Sequence, residues 1–326
     1  MIIETIVAGK NNLVEKIFYK KKIFIYKKYL KDQGNGINYS RYKSETSFIN
    51  LLTSKNIKNL PLILATDPYS QENLFNFING KKVKKITKKD IRQCINFIKK
   101  INFQISNKKI SNFKMATEAC ISIDDHIKTA ERRILMLSKF PKNYGIYKKT
   151  KKFINQELKE AFTISKNNIY QLFSKNEINE KLKEKELILS PSDFGFHNII
   201  KKNSKLYFFD FEYAGKDDPV KLMSDYICQP DYKLNISQIN FFYRNILKMF
   251  KNKKKINKRF QAVINIHRIK WCCVILSEIL SKQYFKRRKF AKSNINLAKC
   301  FYKAKKYYNA HLKKNKQMCY NKNVYI

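Results

Sequence analysis

The segment from Leu189 to Glu212 constrains the fold and chemistry of this chain more than any other part. It consists of a short apolar strand, a polar loop, a second strand, a turn and an apolar strand that ends at Asp210. The loop places Asp193 and Asn198 five residues apart. Taken alone, this spacing with a later Asp predicts a β-hairpin with solvated polar turns, so a functional interpretation needs support from elsewhere in the chain.

These three side chains are the groups that magnesium-dependent phosphoryl transfer requires. One carboxylate orients the attacking hydroxyl, while an amide and a second carboxylate hold the metal on the nucleotide phosphates. The functional interpretation therefore gives Asp193 the catalytic role and assigns Asn198 and Asp210 to the metal.

The N-terminal residues supply a second part of such a site. Residues 3–7 are apolar and predict a strand, a loop of small and polar residues follows, and residues 13–19 predict the next strand. A loop of this kind between two strands is the arrangement that closes over nucleotide phosphates in kinases. Gly9 and Asn12 in this loop are therefore candidate nucleotide-binding residues.

A third strand is predicted over residues 23–29, and it contains two adjacent lysines. Strand alternation places Lys27 on one face with Ile23 and Ile25, and Lys28 on the other. We expect the face of Lys27 to be the cleft side, so Lys27 is the candidate ligand of the phosphates.

Residues 39–52 predict a helix with an apolar stripe that contains Glu45 one turn after Arg41. As a surface pair these two residues would contribute about 0.2–0.5 kcal/mol. The alternative, which we favour, is that Glu45 is the helix carboxylate that holds Lys27, as a lysine–glutamate pair does in kinases.

Together these residues resemble the aminoglycoside phosphotransferase and choline kinase-like family of small-molecule kinases. The family pattern is H-G-D-x-x-x-x-N, an apolar strand ending in Asp, a Gly/Asp-Pro turn and a further Asp. The matching positions here are Asp193, Asn198, Asp210, Asp218-Pro219 and Asp225. The resemblance covers most of residues 1–230, and the residues around Asp193 are similar to a bacterial branch often met beside surface-polysaccharide genes.

The chain departs from this pattern at two positions of the loop. Pro191 stands where the family has a histidine, so the hydrogen bonds of that histidine should come from Ser190 or Ser192. Gly195 replaces the usual basic residue, and His197 is open to a role near the phosphates or in packing.

The resemblance implies an α+β, two-lobed protein-kinase-like fold. We expect a β-rich nucleotide-binding lobe over residues 1–80, with a small antiparallel sheet and one helix. A larger, mainly helical lobe should follow over residues 81–326, with helical regions that include 115–137 and 153–172. ATP and Mg²⁺ are the implied cofactors, bound in the cleft between the lobes.

Composition separates the remaining function classes. The formal net charge is +44, which fits nucleic acid or an anionic membrane surface as a partner. However, Gly and Pro number only 7 and 6 while Lys, Asn and Ile are frequent throughout, which indicates an AT-rich coding background. If an anionic surface is bound weakly, runs 251–258 and 303–316 are the expected contacts.

The seven cysteines include no C-x-x-C pair, and no stretch reaches the ~18 apolar residues of a membrane span. Both features predict a cytoplasmic protein with free thiols.

The favoured function is an ATP- and Mg-dependent kinase that phosphorylates a hydroxyl of a sugar, a polyol or a related metabolite. The alternatives are a non-catalytic nucleotide-binding pseudokinase and a basic protein that binds nucleic acid or an anionic surface. Residues 231–326 contain only Asp231 and Glu278 as acids, so a polycationic aminoglycoside is not the expected acceptor.

Overall fold

A computed structural model describes the protein at residues 2–5, 11–31, 40–103, 105, 110, 112–139, 142–280, 286, 289–290, 292 and 296–313. The chain forms two compact units. The first unit comprises residues 1–117, 188–216 and 283–294, and the second comprises residues 118–187, 217–282 and 295–326. The division into lobes at residue 80 stays a prediction.

The first unit contains a five-stranded antiparallel sheet in the order β1-β2-β3-β5-β4. Its strands are β1 (Ile2–Thr5), β2 (Leu13–Tyr19), β3 (Lys22–Lys28), β4 (Ile63–Asp67) and β5 (Glu72–Asn76). Lys20 and Lys21 both have positive φ, 45° and 61°, in the two-residue turn between β2 and β3. Turns of this kind match the twist of the flanking strands and fix their register.

This register decides which lysine of β3 faces inward. Lys27 pairs with Val14 on β2 and with Asn73 on β5, and it is 7% exposed. Lys28 points to the opposite face, where its side chain is 41% exposed and lies 2.7 Å from Glu72.

Helix α1 (Arg41–Ser54) begins after Ser40, whose side chain accepts a hydrogen bond from Lys43 N. This cap satisfies one of the free backbone donors at the start of the helix. Its buried face carries Phe48, Ile49 and Leu52 together with Glu45. The start predicted at Tyr39 lies outside the described residues.

The segment with the polar motif also belongs to the first unit. Its elements, together with the strands and the helix that precede and follow it, are β6 (Lys81–Lys82), α2 (Lys88–Phe103), β7 (Ile188–Ser190), a 3₁₀ turn (Phe196–Asn198), β8 (Ile199–Lys202), β9 (Lys205–Phe208) and β10 (Gly215–Asp217). The ring of Phe97 on α2 stacks on Phe194, Phe208 and Phe211, at centroid distances of 6.0, 4.1 and 6.2 Å. These aromatic neighbours of Asp193 and Asp210 anchor both polar loops to one helix.

The described part of the second unit is mainly helical. Its helices are α3 (Ile123–Ser138), α4 (Gly145–Phe153), a π-helical turn (Ile154–Leu158), α5 (Lys159–Leu172), α6 (Lys175–Asn179), α7 (Pro219–Cys228), α8 (Ile236–Leu247), α9 (Lys253–Leu280) and α10 (Leu297–His311). In the described ranges, no helix is both long enough and apolar enough to cross a membrane. Six of the cysteines are free thiols, and Cys319 lies outside those ranges.

The helix predicted from residue 115 was wrong in its first eight residues. Backbone bonds join Ala116 N to Lys216 O and Lys216 N to Lys114 O, so residues 114–116 are extended. A Cβ at Gly215 would lie 2.4 Å from Ala116 N, so this close approach requires glycine. Ser122 then forms a capping box with Asp125, which fixes the start of α3.

A buried polar network inside the second unit involves the last acidic positions of the motif. Asp218 caps α7, contacts Arg259 and lies 3.2 Å from Nε2 of His126. Asp225 contacts Lys270 at 2.5 Å. Burial disfavours both carboxylates, but these partners outweigh it and lower both pKa values. Both acids therefore join helices of the second unit, and His126, which lies beside Asp124 and Asp125 on α3, is fully buried.

Candidate active site

The centre of the candidate site is the ammonium group of Lys27. Its Nζ lies 2.6 Å from Oε2 of Glu45, 2.6 Å from Oδ1 of Asp210 and 3.9 Å from Oε2 of Glu212. Burial opposes the positive charge, but the carboxylates of Asp210 and Glu45 outweigh it and raise the pKa of Lys27 well above its ordinary value. Lys27 is therefore a cation held beside Asp210, which lies two residues after the end of β9.

Glu45 is oriented by further hydrogen bonds. Tyr29 donates its hydroxyl proton to Oε2 over 2.7 Å, and the backbone N–H of Phe211 donates to Oε1 over 3.0 Å. Asn73 in turn donates to the Tyr29 hydroxyl over 3.1 Å. Glu45 is 3% exposed and pairs with Lys27, so the alternative of a surface pair with Arg41 was wrong.

Glu212, two residues after Asp210, links this part of the chain to the N-terminal loop. Asn11 donates to Oε1 over 3.1 Å, and the side-chain amide of Asn12 donates to Oε2. The carboxylate is 1% exposed, and its burial and the charge of Asp210 raise its pKa. The side chain of Asn12 is therefore occupied in anchoring the loop to Glu212. Gly9 lies outside the described residues.

The loop around Asp193 is held in an unusual backbone conformation. Ser192 and Asp193 have positive φ values of 50° and 43°. For residues other than glycine such values cost free energy, and they persist where the surroundings enforce them. Ser190 Oγ accepts from Ser192 N over 3.1 Å, and Asn198 donates from Nδ2 to the Asp193 carbonyl over 3.2 Å. Ser190 therefore bonds within this loop, and its replacement of the family histidine stays a prediction.

The hairpin of β8 and β9 brings the two candidate metal ligands to one end. Ile199 pairs with Phe208, and Phe209 N donates to the Asn198 carbonyl over 3.2 Å, so Asn198 lies across from the residue before Asp210. Asp210 has a positive φ of 65°, which turns the chain at this point. Because Asn198 uses Nδ2 on the Asp193 carbonyl, its Oδ1 is the atom suited to a metal.

These oxygens fit Mg²⁺. An amide oxygen and a carboxylate are the ligand types that this ion prefers, and it commonly keeps water or phosphate oxygens at its other positions. The side chain of Asp210 is 35% exposed, which leaves it accessible. Within the described ranges there is no cluster of three or more His, Cys, Asp or Glu side chains that could hold a metal. The match to Mg²⁺ therefore depends on Asn198 and Asp210.

Sequence reasoning missed the contribution of Glu212, Tyr29 and Asn73. Glu212 comes two residues after the predicted strand end at Asp210, and its sequence context indicated no role for it. Tyr29 directly follows β3 and Asn73 lies on the neighbouring strand β5, so only the pairing of β3 with β5 brings Asn73 to the Tyr29 hydroxyl that binds Glu45. The signal available in the sequence was that each of these polar residues lies in or next to a predicted strand and faces inward.

Known proteins were compared with the whole chain. No family model and no curated protein matches the sequence. Among solved structures, a spectinomycin phosphotransferase in complex with ADP and spectinomycin is similar, with a TM-score of 0.59, 14% identity and 93% of each chain covered. A choline kinase from Cryptosporidium parvum Iowa II has a TM-score of 0.55 and 13% identity over 100% of this chain and 93% of its own.

A choline kinase from Streptococcus pneumoniae is also similar, with a TM-score of 0.52 and 14% identity over 95% of this chain and 94% of its own. This chain has the same kinase fold. The predicted α+β, protein-kinase-like fold class is confirmed, and the neighbours agree with the family that the motifs resemble. At these identities the similarity establishes the fold, and the chemistry has to be argued from the residues of this chain.

The two lysines of β3 provide a matched test of the site. We expect Lys27→Met to weaken Mg-ATP binding and to destabilise the protein by about 3–5 kcal/mol, because it leaves buried carboxylates without their cation. Lys28→Met removes an exposed pair, which is worth about 0.2–1 kcal/mol, and should leave nucleotide binding unchanged. Urea denaturation and nucleotide titration measure both quantities. A larger effect of Lys28→Met on nucleotide binding would mean that the other face of β3 meets the phosphates.

Proposed function

We propose that the protein is an ATP- and Mg²⁺-dependent phosphotransferase that acts on a hydroxyl of a small molecule. The observation that carries this proposal is the convergence of Lys27, Glu45 and Asp210, together with the Asp193–Asn198 loop, within one compact unit. Solved structures with a similar fold include kinases of small molecules. One of them was crystallised with ADP and another with AMP-PNP.

Each residue has a defined task in this proposal. Lys27, held by Glu45, would neutralise charge on the α- and β-phosphates, and Gly9 and Asn12 would cover the phosphates with backbone donors. Asp193 would orient the acceptor hydroxyl and take its proton. Asn198 and Asp210 would hold Mg²⁺, which would neutralise charge on the phosphates. Most of the rate would come from positioning and charge, because the loose transition state requires little covalent chemistry of the protein.

The acceptor is proposed to be neutral or anionic, such as a sugar, a polyol or a nucleotide-linked sugar. The two acids of residues 231–326 are already engaged: Asp231 with Lys303, and Glu278, 6% exposed, with the Cys300 thiol. Many lysines surround them in sequence, so a polycation would meet repulsion in this region. Surface-polysaccharide metabolism is a context that would supply such acceptors.

A thermal-shift screen tests the proposal. Mg-ATP should raise the melting temperature, and acceptors of the right class should raise it further when a non-hydrolysable ATP analogue is present. Sugars, polyols and sugar nucleotides should be compared with an aminoglycoside and with choline. An unchanged melting curve at saturating Mg-ATP would contradict the nucleotide-binding part of the proposal.

A second candidate, binding of nucleic acid, is favoured only by the charge of +44. Exposed lysines occur in the β2–β3 turn, at residues 81–89, at residues 148–152 and at residues 251–258, in both units. This spread supports coding background over one dedicated basic surface.

We therefore expect weak nucleic-acid binding without sequence preference. Its affinity should fall steeply with salt, since counterion release would be its only source. Filter binding at about 50 and 200 mM salt measures this dependence. Between these salt concentrations, a protein with many phosphate contacts typically loses affinity by ~10³–10⁵-fold. Sub-micromolar affinity for one nucleic acid at the higher salt, without ATP turnover, would favour the second candidate.

A further inference from the structure

The imidazole of His197 contacts the carboxylate of Asp193. Nε2 of His197 lies 3.2 Å from Oδ1 of Asp193, and His197 lies in the 3₁₀ turn, four residues after Asp193. Their side chains are 15% and 31% exposed, so the contact is partly shielded from water. A hydrogen bond to a charged group in such a setting is stronger than one on an open surface.

This contact involves a different part of Asp193 from the two loop bonds described above. Ser190 accepts from the backbone of Ser192, and Asn198 donates to the Asp193 carbonyl, so both fix the main chain. The contact of His197 Nε2 reaches the side-chain carboxylate itself. The Asp193 side chain extends from a backbone with φ of 43°, which restricts its rotamers, and a partner at 3.2 Å restricts them further.

We propose that His197 is a positioning residue that donates from Nε2 to Asp193 and thereby holds the carboxylate in the orientation that receives the acceptor hydroxyl. This inference rests on the proposed function of Asp193 as the group that takes the hydroxyl proton. His197 itself touches neither substrate nor metal in this role. Its effect is to reduce the number of Asp193 orientations that must be lost as the transition state forms.

The first experiment measures Mg-ATP turnover with water as acceptor, as ADP release. His197→Ala should lower kcat by about 10- to 100-fold, the range of one hydrogen bond to a charged group, and leave KM for Mg-ATP within about threefold. His197→Gln retains an N–H donor and should recover most of the lost kcat. His311→Ala, at an exposed helix end, is the matched control and should behave as wild type.

The second experiment does not depend on turnover. At one fixed pH, the proton NMR spectrum should contain a downfield imidazole N–H signal that disappears in His197→Gln and moves upfield in Asp193→Asn. Its persistence at the same position in Asp193→Asn would overturn the proposed bond.

The outcomes are distinguishable from failure of the proposed function. Wild-type kcat in His197→Ala, in an enzyme that Asp193→Asn silences, would overturn the role of His197 alone. The role of His197 would also be overturned if His197→Ala and His197→Gln lowered kcat to the same extent and lowered the melting temperature to the same extent. Such a result would indicate a purely structural role. If wild type and Asp193→Asn release ADP equally slowly, the proposed function itself fails, and the role of His197 fails with it.

Discussion

Asp193→Asn should lower turnover by about 10²–10⁴-fold, the usual contribution of a positioned general base. The substitution keeps the size of the side chain, and the backbone bonds from Ser190 and Asn198 do not involve the carboxylate. The loop should therefore keep its shape, and affinity for Mg-ATP should stay within about tenfold, because the lost interaction is used mainly in the transition state.

Two measurements separate this chemical effect from a structural one. Nucleotide affinity and melting temperature of Asp193→Asn should match those of wild type, while kcat falls. Glu180→Ala is a suitable control, because it removes an exposed acid paired with Lys255 at 3.2 Å and should leave all three quantities unchanged. Comparable kcat in Asp193→Asn and wild type would make Asp193 a structural residue.

Asp210→Ala should abolish the magnesium-dependent part of nucleotide binding. In wild type, ligand at 100 times its Kd stabilises the folded protein by about 2.7 kcal/mol. The variant loses one of the two proposed metal ligands, which is also one of the two carboxylates that lie 2.6 Å from Lys27. Glu45 still holds Lys27, so ATP without metal should bind the variant about as well as it binds wild type.

The measurement is a set of melting curves with ATP, once with Mg²⁺ and once with a chelator. Wild type should show a clear difference between these conditions, and Asp210→Ala should show none. A full magnesium-dependent shift in the variant would place the metal on other residues and would remove Asp210 from the proposed site.

Much of the site could be predicted because its residues lie at fixed distances along the chain. The Asp193–Asn198 spacing and the predicted strand ending at Asp210 are local patterns. Strand alternation put Lys27 and Lys28 on opposite faces, and Lys27 was chosen by expecting its face to be the cleft side. The register of β2, β3 and β5 places Lys27 on the buried face, where it meets Glu45. The roles of these residues in catalysis stay predictions.

Other features could not be read from local patterns because they depend on long-range contacts. Glu212 receives Asn11 and Asn12 from about 200 residues away, which no periodicity indicates. His126 lies in a polar stretch of α3 but is buried, since Asp218 and His267 meet it from other helices of the second unit. The first residues of the predicted helix at 115 form an extended segment because Lys216 competes for their backbone bonds.

We propose that this chain transfers the γ-phosphate of ATP to an alcohol. Phosphorus NMR follows that phosphate directly in a reaction with Mg-ATP and the acceptors found by thermal shift. With wild type, the γ-signal of ATP should decline while ADP and one new phosphomonoester appear in equal amounts. With Asp193→Asn, neither change should occur. Intact ATP with every acceptor, despite tight Mg-ATP binding, would contradict the proposal and would identify a nucleotide-binding pseudokinase.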